Sequence, residues 1–208
     1  MTKGNFLKID KVIESIKNKD LNYDRKLVLN PLIKYLKNKI LLNQKINLNF
    51  ICTHNSRRSQ YCQVWAKVFS SFFNLDYLET FSGGTLSTFV HPSVINSLVQ
   101  MGFFVKQLTR EKNSIYLVRY SQNKPEIKLF SKKINHINNP KNNFVAVLTC
   151  TSAEKKCPLV YGSDFKMTIA YKDPKLFDNS EIEEKEYLKT SYQIAREMFY
   201  VFSLLNDR

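Results

Sequence analysis

Long apolar runs, glycine and paired cysteines are all scarce in this chain of 208 residues. No stretch reaches the roughly 18 consecutive apolar residues that a membrane span needs, which excludes a transmembrane segment. The first residues, Met1-Thr2-Lys3-Gly4-Asn5-Phe6-Leu7-Lys8, run on into charged residues instead of an apolar leader segment, so a cytoplasmic protein is expected. Four cysteines (Cys52, Cys62, Cys150, Cys157) do not make a disulfide framework in a chain of this size. In a reducing compartment they read as free, catalytic or metal-binding thiols. Zinc would want Cys-x2-Cys pairs or histidines at ligand spacing. Here Cys52 and Cys62 stand ten positions apart, Cys150 and Cys157 seven, and His54, His91 and His136 are scattered, so no metal is expected.

Charge of one sign is in excess. The 32 Lys and Arg outnumber the 18 Asp and Glu, giving a net +14. The lysines are spread over almost the whole chain, and the densest basic stretch, Lys132 to Lys141, lacks the interleaved aromatic platform of a single-strand binder. Nucleic acid is therefore not an expected partner, although the positive field would draw an anionic substrate toward a site.

What is abundant is core material: 43% of residues are hydrophobic, with 15 Phe and 11 Tyr. One domain over 1–208 is expected. Residues 1–44 have amphipathic helical periodicity, with Asn30-Pro31 positioned to cap and start a helix carrying Leu32, Ile33, Leu36 and Ile40 on one face. A buried-type strand over 47–51 leads into a polar loop and then a helix over about 58–73, whose Val64, Trp65, Val68, Phe69 and Phe72 form an apolar stripe. Tyr77 to Phe81 reads as a strand closed by Ser82-Gly83-Gly84. His91-Pro92 opens another helix that stops at Gly102. Ile115–Tyr120 and Glu126–Phe130 suggest a β-hairpin, and Phe144–Thr149 a strand buried on both faces. A strand over Lys166–Tyr171 and a helix over about 182–206 complete the pattern. Strands alternating with helices predict an α/β fold around a mostly parallel sheet, with ligands beyond the carboxyl ends of its strands. Cys52 and Cys150 both sit at such ends.

The loop Cys52-Thr53-His54-Asn55-Ser56-Arg57-Arg58-Ser59 carries the chemistry. A loop entering a helix N-terminus aims several backbone N–H groups at one point, which binds tetrahedral anions and favours a thiolate there. Arg58 can clamp two oxygens of a dianion with its planar fork. Ser59 is placed to hydrogen-bond the Cys52 sulfur, and Asn55 to hold the loop's shape. His54 is open between tuning the thiolate and a bystander role, and the Arg57 side chain is expected in solvent. Cys62 reads as packed core, and Asp173-Pro174 alone is only a turn signal.

The stretch from Phe50 to Gln60 resembles the signature loop of the low-molecular-weight protein-tyrosine-phosphatase superfamily, and more closely its thioredoxin-coupled arsenate reductase branch. Ser82-Gly83-Gly84-Thr85 resembles that branch's Ser-Ala-Gly-Thr segment, His91-Pro92 the opening of its next helix, and Cys150-x6-Cys157-Pro158 its redox pair. Tyr171-Lys172-Asp173-Pro174 is similar to its Asp-Pro loop. The resemblance implies a three-layer sandwich with a central, mostly parallel sheet over 45–208. Two parts extend it: the helical extension 1–44 and an inserted β-hairpin in the unusually long region 113–141.

It also implies roles. Cys52 is the nucleophile, and Arg58 with the loop residues Thr53, His54, Asn55, Ser56, Arg57 and Ser59 binds the oxyanion. Asp173 is the general acid, a task for a carboxyl group whose pKa is raised. Cys150 and Cys157 form the relay that thioredoxin reduces, which needs no further cofactor and a segment over 151–156 able to rearrange. Arsenate reduction is the favoured activity, and phosphotyrosine-protein hydrolysis through a cysteinyl-phosphate the alternative. A non-catalytic oxyanion or redox sensor is a third option. Arg57 stands where the reductases often carry a further cysteine. The two extra parts are open between shaping a substrate groove, covering a sheet edge and burying a dimer face. Tyr116, Tyr120, Tyr161 and Tyr171 are groove candidates with packing as the default.

Overall fold

The computed structural model describes residues 6–156 and 159–205. Helices α1 (Leu7–Lys17) and α2 (Tyr23–Leu41) precede β1 (Ile46–Cys52), α3 (Arg58–Phe72), β2 (Leu78–Gly84) and α4 (Pro92–Gln100). Strands β3 (Phe104–Gln107), β4 (Tyr116–Arg119) and β5 (Ile127–Leu129) follow, then β6 (Phe144–Leu148), α5 (Thr151–Lys156), β7 (Ser163–Thr168), a 3-10 turn (Pro174–Phe177) and α6 (Glu183–Ser203).

The central sheet has the order β2-β1-β6-β7, and every pairing in it is parallel. Ile51 pairs with Leu148, so Cys52 and Cys150 leave the sheet side by side at one carboxyl edge. The twofold period of a strand sorts its two faces. Leu48, Phe50, Val145 and Val147 join the large core under the helices α1, α2, α3 and α6, whereas Ile51, Ala146 and Leu148 pack beneath α5 with Ala153 and Val160. The result is the expected α/β architecture of a parallel sheet between helical layers, with a thin second layer. Each fully buried Leu or Phe contributes about 1.5–3 kcal/mol through its removal from water.

A second, antiparallel sheet has the order β3-β4-β5. The hairpin predicted over 115–130 is therefore its central strand β4 and the edge strand β5, and the other edge strand, β3, shows little burial alternation to announce it. After β5 the chain turns back along β2. The Lys132 carbonyl accepts from Gly84 N–H (2.9 Å), and Ile134 N–H donates to Gly84 O (2.9 Å). The region 113–141 thus ends as a strap against the end of β2, next to the cysteine loop.

Three expectations need correction. Asn30-Pro31 does not begin a helix, because α2 already starts at Tyr23, capped by Asn22, whose Oδ1 accepts from Arg25 N–H (2.9 Å). Pro31 lies inside α2, and the carbonyl it leaves without a donor belongs to Leu27, on the half-exposed side of the helix where water serves. Ser82-Gly83-Gly84 does not close β2 but forms its last three residues. The seventh strand is Ser163–Thr168, three residues earlier than its apolar pattern suggested; beyond it Ile169 and Tyr171 still donate to Leu148 O and Thr149 O, so the chain follows the end of β6 past the last paired residue. Residues 151–156, the polar segment between Cys150 and Cys157, form the short helix α5.

The N-terminal extension is built into the core. Leu29, Leu32, Ile33 and Leu36 of α2 and Ile9, Val12, Ile13 and Ile16 of α1 are buried in the main cluster. Tyr35 stacks on Phe165 of the edge strand β7 (centroids 4.6 Å), so α2 lies against that edge strand. Arg25 reaches α6 and grips Glu197 with two parallel bonds, Nε to Oε1 (2.8 Å) and Nη2 to Oε2 (2.7 Å).

Candidate active site

Backbone accounting explains the shape of the loop between β1 and α3. Thr85 N–H donates to Cys52 O (3.2 Å), Leu86 N–H to Thr53 O (2.8 Å) and His91 N–H to Ser56 O (3.1 Å). Ser131 Oγ donates to His54 O (2.8 Å) and Gln60 Nε2 to Asn55 O (2.8 Å). All five carbonyls are drawn outward. Because C=O and N–H oppose each other across a trans peptide, the amides of residues 53–57 are turned toward the loop's centre. Asn55 N–H lies 3.1 Å from Cys52 Sγ, which places the sulfur at that centre. Such a ring of convergent donors is an anion cradle.

Asn55 makes the turn possible. Its φ of 46° is left-handed, a conformation that Asn adopts more readily than most residues. Its side chain is held at both ends, Nδ2 donating to Ser59 Oγ (2.8 Å) and Oδ1 accepting from Lys132 N–H (2.9 Å). Ser59 Oγ in turn lies 3.1 Å from Cys52 Sγ. Gly84 leaves the space: a Cβ there would lie 2.8 Å from Asn55 N and 2.9 Å from Thr53 O.

Arg58 opens α3 and is buried, its Nη1 donating to Tyr171 O (3.1 Å) and its Nη2 to Asp173 Oδ2. Asp173 also caps the 3-10 turn through Lys175 N–H (3.2 Å). The two residues lie about 115 positions apart in sequence and meet because β7 delivers its loop to the same sheet edge as β1.

Arg57 departs from its expected place. Its side chain is not in solvent but donates to Asp178 (2.5 Å) and Tyr187, away from the loop centre. His91 stacks on Tyr187 (5.2 Å), and burial, with the Arg57 charge beside it, lowers its pKa. His91, Asp178 and Glu183 are a group of metal-type ligands among the described residues, but Arg57 already occupies Asp178, and Ser93 and Asn179 bind Glu183. His54 contributes its carbonyl as an anchor point, accepting from Ser131 and Thr88.

Cys150 follows β6 and is buried. Burial pushes its thiol pKa up, but Ser152, the Arg58 charge, Thr53 and Ala153 N–H outweigh that and hold it below the ordinary value. Ser152 Oγ and Ala153 N each lie 3.3 Å from the sulfur, and Thr53 Oγ1 3.7 Å. Cys62 is fully buried, and burial raises its pKa far above the usual range, with Glu197 and Cys52 adding to the effect. The predicted relay partner Cys157 lies outside the described residues. Tyr120 and Tyr171 are buried, whereas Tyr161 is exposed.

The sequence pattern missed Lys132, Ser131, Gln60, Asp178 and Tyr187. Gln60 had a signal, being a polar residue in the first turn of the helix, directly after the loop. Lys132 was hidden in a lysine-rich stretch. It is 4% exposed, and burial, with Lys128 adding repulsion, lowers its pKa to about 8.

A cysteine in a ring of convergent amides at the carboxyl edge of a parallel sheet, with the Arg58–Asp173 pair beside it, defines the class as an α/β protein whose loop geometry suits a tetrahedral anion. No family model matches the chain. Arsenate reductase 2 of Staphylococcus epidermidis is 26% identical over 130 residues, 62% of this chain and 79% of that protein. Among solved structures, a YwlE mutant from Bacillus subtilis superposes with a TM-score of 0.53 at 12% identity, covering 78% of this chain and 99% of that one. The low-molecular-weight protein tyrosine phosphatase from T. tengcongensis gives 0.50 at 14%, covering 77% and 97%. At these identities the structural likeness is one of fold. It shows that the chain has the fold shared by these structures, and the sequence similarity to an arsenate reductase agrees with that fold.

Proposed function

We propose that the protein is an arsenate reductase in which Cys52 attacks arsenate held by the loop amides and Arg58. The thiolate displaces an oxygen from arsenic, which leaves protonated as water. Cys150 then attacks the Cys52 sulfur, the S–As bond breaks with its electron pair moving to arsenic, and arsenite departs as the Cys52–Cys150 disulfide forms. Cys157 attacks Cys150, releasing Cys52, and thioredoxin reduces the Cys150–Cys157 disulfide. The observation that carries this reading is Cys150: a second thiol beside the loop, touching Thr53, with its pKa lowered by hydrogen bonds and the Arg58 charge.

One observation favours the phosphatase alternative. Asp173 lies against Arg58, and a carboxyl group there would supply the proton for a leaving oxygen in the hydrolysis of a phosphotyrosine protein, a reaction that needs no second thiol. Arsenate and phosphate share shape and charge, so one cradle serves both. Of the described helices, none is long and apolar enough to cross a membrane, which is compatible with a cytoplasmic enzyme that draws on thioredoxin.

The deciding measurement is arsenate turnover with a thioredoxin system beside p-nitrophenyl phosphate hydrolysis, for wild type and Cys150→Ser. Cys150→Ser is expected to abolish arsenate reduction and to retain phosphatase activity, whereas Cys52→Ser loses both. Arsenate turnover that survives Cys150→Ser would sink the relay. A wild type that hydrolyses phosphate esters but never reduces arsenate would select the phosphatase.

A further inference from the structure

Arg25 belongs to α2, in the extension outside the superfamily resemblance, yet its contacts lead to the centre of the site. Glu197 is 1% exposed, and a carboxylate so placed needs a countercharge. Arg25 supplies it through both of its bonds, and Gln193 Nε2 adds a third donor (3.1 Å). The same guanidinium lies over the Tyr171 ring, 4.9 Å from its centroid. Tyr171 is fixed along its backbone as well, its N–H donating to Thr149 O (3.2 Å) and its carbonyl accepting Arg58 Nη1 (3.1 Å). Two residues later comes Asp173, the other partner of Arg58.

We propose that Arg25 is a positioning residue for the oxyanion site: it neutralises Glu197 and clamps Tyr171, which keeps the Arg58 fork aimed at the bound anion. The assignment rests on the oxyanion reading of the Cys52 loop. Arg58 is anchored only along its Nη edge, since its buried Nε has no partner among the described residues. An unneutralised Glu197 would pull that guanidinium back toward α6 and set a negative field behind the cradle. Both effects weaken anion binding without touching the anion. They also give the extension a part in the catalytic unit beyond covering the β7 edge.

The test is calorimetric binding of inorganic phosphate to the full chain, with kcat and KM for p-nitrophenyl phosphate, in wild type, Arg25→Met, Arg25→Lys and Arg25→Met/Glu197→Gln. Arg25→Met is expected to weaken phosphate binding about tenfold and to raise KM more than it lowers kcat, as for a buried pair cut on one side. Adding Glu197→Gln removes the orphaned charge and should return the affinity to within about threefold of wild type. Arg25→Lys keeps the charge but loses the fork, so a loss of about threefold is expected, and this variant carries the test if Arg25→Met does not fold. Arg25→Met or Arg25→Lys that folds and binds phosphate as wild type does would overturn the proposal, because a merely structural arginine changes stability and not the affinity of the folded protein. A double variant no better than Arg25→Met would overturn the electrostatic cause. Failure of wild type itself to bind phosphate would instead overturn the oxyanion reading.

Discussion

Thr53 Oγ1 stands 3.7 Å from Cys150 Sγ and 3.0 Å from Ser152 Oγ. One residue of the oxyanion loop therefore touches the second thiol, across two strands that are neighbours only in the folded sheet. Its hydroxyl helps to lower the Cys150 pKa. Removing it in Thr53→Val should raise that pKa and leave less thiolate at neutral pH. The acid limb of the pH profile for arsenate turnover is expected to move to higher pH, with p-nitrophenyl phosphate hydrolysis showing no matching shift. An unmoved acid limb would mean that Cys150 is not the titrating nucleophile.

Arg58→Lys keeps a positive charge but cannot hold Tyr171 O and Asp173 from one planar group. Phosphate affinity is expected to fall about tenfold or more, because the bidentate fork is lost. Calorimetry on the purified variant checks this, and unchanged affinity would remove Arg58 from the anion site.

Gly84→Ala would drive a Cβ to 2.4 Å from Leu86 O and 2.8 Å from Asn55 N. Both neighbours are backbone, so the cradle itself must shift. A stability loss of about 1–3 kcal/mol in urea unfolding is expected, as for overpacking elsewhere, together with weakened phosphate binding.

Lys132 gives a pH signature. Its pKa falls from 10.5 to about 8 on folding, chiefly through burial. Between those values the unfolded chain binds the extra proton, so this residue's contribution to stability rises with pH through that window and is least below it. The difference in unfolding free energy between wild type and Lys132→Met should therefore move in favour of wild type from pH about 8 toward 10.5. A difference that stays flat would show that the ammonium is not buried as described.

Much of this fold could be read from local pattern. The unbroken apolar run Phe144–Leu148 forms a strand buried on both faces, and His91-Pro92 opens α4 with Pro92 at its first position. Those signals survive because each depends on nearest neighbours along the chain. Pro31 misled because a helix can bury one face and leave the proline's orphaned carbonyl to water on the other, a choice that depends on what α2 packs against. Arg57 misled in the same way, since Asp178 and Tyr187 lie far along the chain and no local pattern announces them.

The residues from Cys52 to Ser59 by themselves pointed to one kind of chemistry: a cysteine, small polar residues and an arginine on the way into a helix are the makings of an anion cradle. Only the tertiary structure decided what holds that cradle and what surrounds it. The outward carbonyls are satisfied by the β2–α4 connection and the 131–132 strap, the Arg58 fork is met by the β7 loop, and Arg25 arrives from an extension with no motif of its own. The physical reason is that a buried polar group must find a partner wherever the fold brings one, and such partners are set by which strands lie side by side, not by spacing along the chain.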